Sequence, residues 1–175
     1  MSYFSYFSDT TVLDDVFASR PERYKGFQTY CQDVMRGESS ELTANERELI
    51  AAIISGTTGS FYCYSAHSKV ADAFGFSHEV VDALLADINS APIEEKLKPL
   101  LSFVRKLTLT PQKIGQEDVD GVVTAGWSEK ALEDAIAVCG LFNLANRMTL
   151  AYGLNSKWSG KRSQVVDHIV NKGYL

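Results

Sequence analysis

The chain has 175 residues, 45% apolar and 22% charged, with a formal net charge of −5. That is the composition of a globular protein with its own core, and the acidic balance argues against a broad nucleic-acid or anionic-membrane surface. No apolar run approaches the roughly 20 residues that cross a bilayer, the aromatic N-terminus lacks the basic start of a signal peptide, and Cys31, Cys63 and Cys139 are too few and too widely spaced for a secreted disulfide framework, so a reducing cytoplasm is expected.

Residues 1–10 carry four aromatics without a period and are placed against the body of the protein or a neighbouring subunit. A short helix is predicted over 11–19, ending before Pro21, which suits the first position of the next. Residues 22–36 place Tyr24, Phe27, Tyr30, Cys31 and Val34 at helical spacing, with Gly37 as the stop. Thr43 and Glu46 form a capping box ahead of an apolar helix, which Ser55-Gly-Thr-Thr-Gly59 breaks. A new helix starts at Ser60 and runs to about Phe74. Further helices are predicted over 78–87, over 93–109 with Pro92 at its start, over 116–125, from 129 to about 152 behind Ser128, and over 161–172. No segment alternates with period two, so the prediction is an all-α protein, one domain over 1–175 with its core at about 10–155.

The stretch that carries chemistry is Gly59 to His67. Cys63 and His67 are four apart and share a helix face. A thiol near a helix N-terminus and beside an imidazole is in a setting that favours the thiolate; the competing reading is a small buried hydrophobe beside a structural histidine. Ser60 is either the N-cap, its hydroxyl accepting the N–H of Tyr62 or Cys63, or the first position of a Cys-x-x-Cys-like pair, its hydroxyl bonding the Cys63 sulfur. Among Glu46, Arg47 and Glu48, either all three form a solvated first turn, which favours acids, or one acid turns inward as a buried base. Asn143, Asn146 and Arg147 share a face of an apolar helix, where polar groups need partners: another helix, a pocket or a subunit. His78 and His168 are expected at the surface. No zinc-spaced cysteine pair, HExxH, glycine-rich phosphate loop or Gly-x-Ser-x-Gly is present, so no cofactor or metal is expected.

Glu48, Ser60, Cys63 and His67 stand at the spacing of an E-x11-C-x2-C-x3-H signature, with Ser60 at the first cysteine. This resembles the alkylhydroperoxidase D-like family of the carboxymuconolactone decarboxylase-like superfamily. Glu-Arg-Glu-Leu-Ile-Ala-Ala (46–52), Ala-Phe-Gly (73–75), Pro-Leu-Leu-Ser-Phe-Val-Arg-Lys-Leu-Thr (99–108), Ala-Gly-Trp (125–127) and Leu-Phe-Asn-Leu-Ala-Asn-Arg (141–147) are similar to its longer, uncharacterised peroxidase-related branch. The resemblance implies an all-helical homo-oligomer, often a trimer or hexamer, that reduces a small peroxide and is recycled by an external thiol or disulfide reductant. It assigns Cys63 as the sulfur that becomes a sulfenic acid, Glu48 and His67 as the proton relay, position 60 as the resolving partner and Tyr62 as the counterpart of a relay histidine in some members. With Ser60 there, resolution falls to an external thiol, to Cys31 or to Cys139. Two other functions fit the same residues: a lyase or isomerase of the carboxymuconolactone decarboxylase kind using Glu48 and His67 without redox chemistry, and a non-catalytic oligomeric binding protein.

Overall fold

A computed structural model describes residues 2–154 and 159–175. Among these the chain forms nine α-helices and no strand: α1 (Leu13–Ser19), α2 (Pro21–Arg36), α3 (Ala44–Thr57), α4 (Phe61–Ala73), α5 (His78–Ala86), α6 (Leu97–Leu109), α7 (Gln116–Thr124), α8 (Glu129–Tyr152) and α9 (Gly160–Lys172). The limit near residue 155 assigned to the core lies outside the described residues. No described helix is long and apolar enough to cross a membrane.

Helix α3 is the centre. It starts on the expected capping box, with Thr43 Oγ1 accepting the Glu46 N–H and the Glu46 carboxylate accepting the Thr43 N–H. From Arg47 to Ser55 every residue is buried, because α2, α4, α5, α6 and α8 all pack around it. The helix outlasts the predicted break at Ser55 and ends at Thr57. Gly59, at φ +72°, then makes a left-handed turn in which the Ser60 N–H reaches the Ser55 carbonyl. Helix α4 returns alongside α3 from this turn, which brings His67 back to the level of Glu48.

Helix α6 begins at Leu97, four residues later than predicted. Pro99 explains the difference. A helix starting at 93 would hold Pro99 in its interior, without an N–H and against the carbonyl of Glu95, whereas in the first turn its missing N–H is no loss. The Trp127 indole closes the irregular approach by donating to the Lys96 carbonyl at 2.7 Å. A 3₁₀ turn over Pro111–Lys113 follows α6. The aromatics of residues 2–10 lie on the end of α8, where the Tyr3 N–H and Ser2 hydroxyl both reach the Tyr152 carbonyl and Phe4 and Phe7 meet the Tyr152 ring. Among other helices, α9 packs chiefly on α4.

Candidate active site

Glu46 is spent in the capping box, so the inward acid is Glu48, fully buried at 0% exposure. Three donors converge on its carboxylate. Arg36 of α2 gives Nη2–H to Oε1 at 2.7 Å, Tyr174 beyond α9 gives its hydroxyl to the same oxygen at 2.8 Å, and His67 Nδ1 meets Oε2 at 2.8 Å. Burial pushes the carboxyl up, but His67, Arg36 and the Tyr174 hydroxyl outweigh it and hold it below its ordinary value. An ionised acceptor fixes the imidazole with its proton on Nδ1, leaving Nε2 as the nitrogen with a free lone pair. Packing locks the ring: Phe142 lies edge-on at 4.5 Å and Tyr174 stacks at 6.3 Å.

Cys63, buried on the first turn of α4, shares a cavity of about 90 Å³ with His67. The walls are mostly apolar, including Phe17, Phe27, Phe142 and Val166, with Asp14, Gln28 and Arg162 as polar members. The thiol's direct partner is a residue the sequence did not single out: Thr149 of α8, whose Oγ1 lies 3.5 Å from Sγ and 2.9 Å from Ser60 Oγ. Thr149 Oγ1 also bonds the Asn146 carbonyl at 3.0 Å. Burial raises the Cys63 thiol, offset only in part by Thr149, Ser60 and Arg162. Of the two readings of Cys63, burial works against the thiolate that its place on the first helical turn favours, because removal from water outweighs that position.

Ser60 begins α4 but makes no side-chain cap; its hydroxyl turns to Thr149 instead. Tyr62 also points elsewhere. Its hydroxyl accepts the Leu13 N–H at 2.8 Å, its ring lies under the Arg162 guanidinium at 4.2 Å, and burial raises its phenol. The hydroxyl over Glu48 is that of Tyr174. Cys31 lines the cavity as a buried thiol, raised by burial and by the Glu48 charge, whereas Cys139 is held between α6 and α8 by Thr108 and Asn143. All three cysteines are free thiols.

Of Asn143, Asn146 and Arg147, the first and last pair with each other while Asn146 turns to α3. Asn146 is buried and accepts from Ser55 Oγ at 3.1 Å, Asn143 bonds Thr108 and the Cys139 carbonyl, and exposed Arg147 donates to Asn143. His78 and His168 are exposed. Thr149 was within reach of sequence reasoning, since a hydroxyl three residues past Asn146 on an apolar helix face also needs a partner. Nothing local marks Arg36, Arg162 or Tyr174. Among the described residues no cluster of three His, Cys, Asp or Glu side chains could hold a metal.

Tyr174→Phe keeps the ring and removes one donor from a charged acceptor, so it should cost about 1.5–3 kcal/mol at neutral pH. Losing a bond to the ionised form also raises the Glu48 pKa. Urea midpoints of the two proteins should differ at pH 7 and draw together as acid protonates Glu48 and removes the charge that made the bond strong.

Residues 21–92 match the carboxymuconolactone decarboxylase family. The fold is shared with an uncharacterised peroxidase-related protein from Silicibacter sp. TM1040, at 27% identity over 79% of this chain and 72% of that one, TM-score 0.74. It is also shared with an alkylhydroperoxidase AhpD core protein from Ralstonia eutropha JMP134, at 20% identity over 99% and 97%, TM-score 0.76. A debrominase crystallised with 2,3,4-tribromopyrrole has the same fold at 21% identity over 87% and 79%, TM-score 0.67. No protein of curated function matches the sequence. The family match over α2 to α5 takes in Glu48, Cys63 and His67, so over these helices the chain is similar to the carboxymuconolactone decarboxylase family, and its helical architecture is the one these neighbours share.

Proposed function

We propose that the protein is a thiol-dependent peroxide reductase in which Cys63 is the attacking sulfur and the Glu48–His67 pair handles its proton. The observation that carries this reading is that the Cys63 thiol and the imidazole opposite Glu48 line one small, largely apolar cavity. His67 Nε2 takes the thiol proton as Sγ attacks the terminal oxygen of a hydroperoxide. The S–O bond forms, the O–O bond breaks, and the imidazolium returns the proton to the leaving alkoxide, giving an alcohol and a Cys63 sulfenic acid. Glu48 stabilises the transient imidazolium. An external thiol then attacks the sulfenic acid, releasing water and leaving a mixed disulfide, which a second thiol reduces. Ser60 has no sulfur to perform that step.

The test is dimedone trapping after one equivalent of an organic hydroperoxide, read by mass spectrometry. The unmodified protein should carry the adduct on Cys63. In Ser60→Cys, where the new sulfur stands one helical turn from Cys63, the adduct should give way to an intramolecular disulfide. Absence of adduct, with Cys63 consuming peroxide no faster than free cysteine, would sink the reading.

A further inference from the structure

Helix α8 has two faces. One buries Leu141, Phe142, Ala145 and Thr149 toward the cavity and core. The opposite face is exposed, yet it carries Ile136 and Leu144 at 43% and 51% exposure. Midway between them lies Gly140, an exposed position in the interior of a 24-residue helix. Glycine is among the poorest helix formers, and nothing inside the protein demands it here. A Cβ at this position would meet no atom within 4 Å, and the backbone is ordinary helix.

The order of residues around Gly140 is symmetric in kind. Four residues before it is Ile136 and four after is Leu144; seven before is Glu133 and seven after is Arg147, both exposed. At 100° per residue all five fall on one narrow stripe, about 21 Å long. A two-fold axis at Gly140 with the helices antiparallel would therefore set Ile136 of each copy on Leu144 of the other and Glu133 against Arg147, twice. That is the self-complementarity an isologous interface requires. The missing side chain would let the two backbones approach, and Arg147, braced by its own Asn143, keeps further N–H groups for the opposing carboxylate.

We propose that this face of α8 is a two-fold interface with a second copy of this chain, centred on Gly140. Because Thr149 and the Phe142 wall lie on the reverse of the same helix, the partner would brace the helix that positions the Cys63 thiol.

Sedimentation velocity at 10 and 100 µM tests the proposal. The unmodified protein should sediment at twice the 19.3 kDa chain mass or an even multiple of it. Arg147→Glu sets two acids against each other and should weaken association at least tenfold. The double variant Glu133→Arg with Arg147→Glu should restore it to within about threefold, because the pair is merely reversed. Gly140→Trp should abolish it. All three altered positions are at the surface, so circular dichroism melting should confirm intact folds. A monomer or an odd-numbered assembly for the unmodified protein overturns the interface. So does association that survives Arg147→Glu or Gly140→Trp, or that the reversed pair fails to recover.

Discussion

Replacing Glu48 with alanine should destabilise the protein by about 3–5 kcal/mol, a large part of the whole stability of a domain this size. The magnitude follows from what is left behind. Arg36 loses its ion-pair partner, the His67 Nδ1–H its acceptor and the Tyr174 hydroxyl its bond, all around a carboxylate that sees no solvent. Glu48→Gln keeps the shape and part of the bonding and should cost less. The pH dependence separates charge from packing. The folded-state carboxyl is depressed below its ordinary 4.5, so its contribution is complete above that value and is lost as pH falls through the folded-state value. Urea midpoints of the unmodified protein and Glu48→Gln should therefore lie apart at pH 7 and converge below about pH 4.5. A constant gap across that range would mean that the carboxylate's charge contributes nothing.

His67→Ala should slow single-turnover oxidation of Cys63 by about 10²–10⁴-fold at pH 7. The reason is the state of the sulfur. Were the thiol ionised at rest, attack would need no base and the histidine would matter little. Burial instead holds the thiol protonated, and the nearby hydroxyls of Ser60 and Thr149 and the Arg162 guanidinium offset it only in part. The proton must leave as the S–O bond forms, and among the groups around the cavity His67 is the one whose free ring nitrogen can take it. The loss should shrink as pH rises, since hydroxide replaces the base. Stopped-flow mixing with hydroperoxide across pH 6 to 10 measures both features; a histidine-free protein within threefold of the original at pH 7 would rule out this proton transfer.

The helices were legible because their signals are local. The Thr43–Glu46 box, Pro21, Ser128 and Gly153 mark ends through short-range sterics and capping, and each marks an end in the structure. At two boundaries packing or a stronger proline overrides the local signal. Ser55 and Gly56 remain helical because α3 is packed on all sides, and Pro99 sets the start of α6 more firmly than Pro92. The face shared by Cys63 and His67 was legible for the same reason, being one turn of helix. The state of the site was not. Which of Glu46 and Glu48 turns inward depends on Arg36 and Tyr174, which lie on other helices or far along the chain. Ser60 forsakes its cap because Thr149, 89 residues away, offers a buried partner. The thiol's protonation is set by the depth of a cavity that α9 helps to wall.

That wall has a dynamic consequence. Helix α9 leans chiefly on α4, while α3 is gripped by five neighbours, so the two belong at opposite ends of the local-unfolding scale. Loosening α9 removes Arg162, Val166 and Tyr174 from around the thiol and leaves the helices that carry Cys63, His67 and Glu48 standing. Hydrogen exchange should then show α9 amides exchanging through an opening that costs less than global unfolding, with Cys63 becoming accessible in step with it. A bulky reagent should then reach Cys63 at a rate set by the opening of α9, and a small one at a rate set by the chemistry.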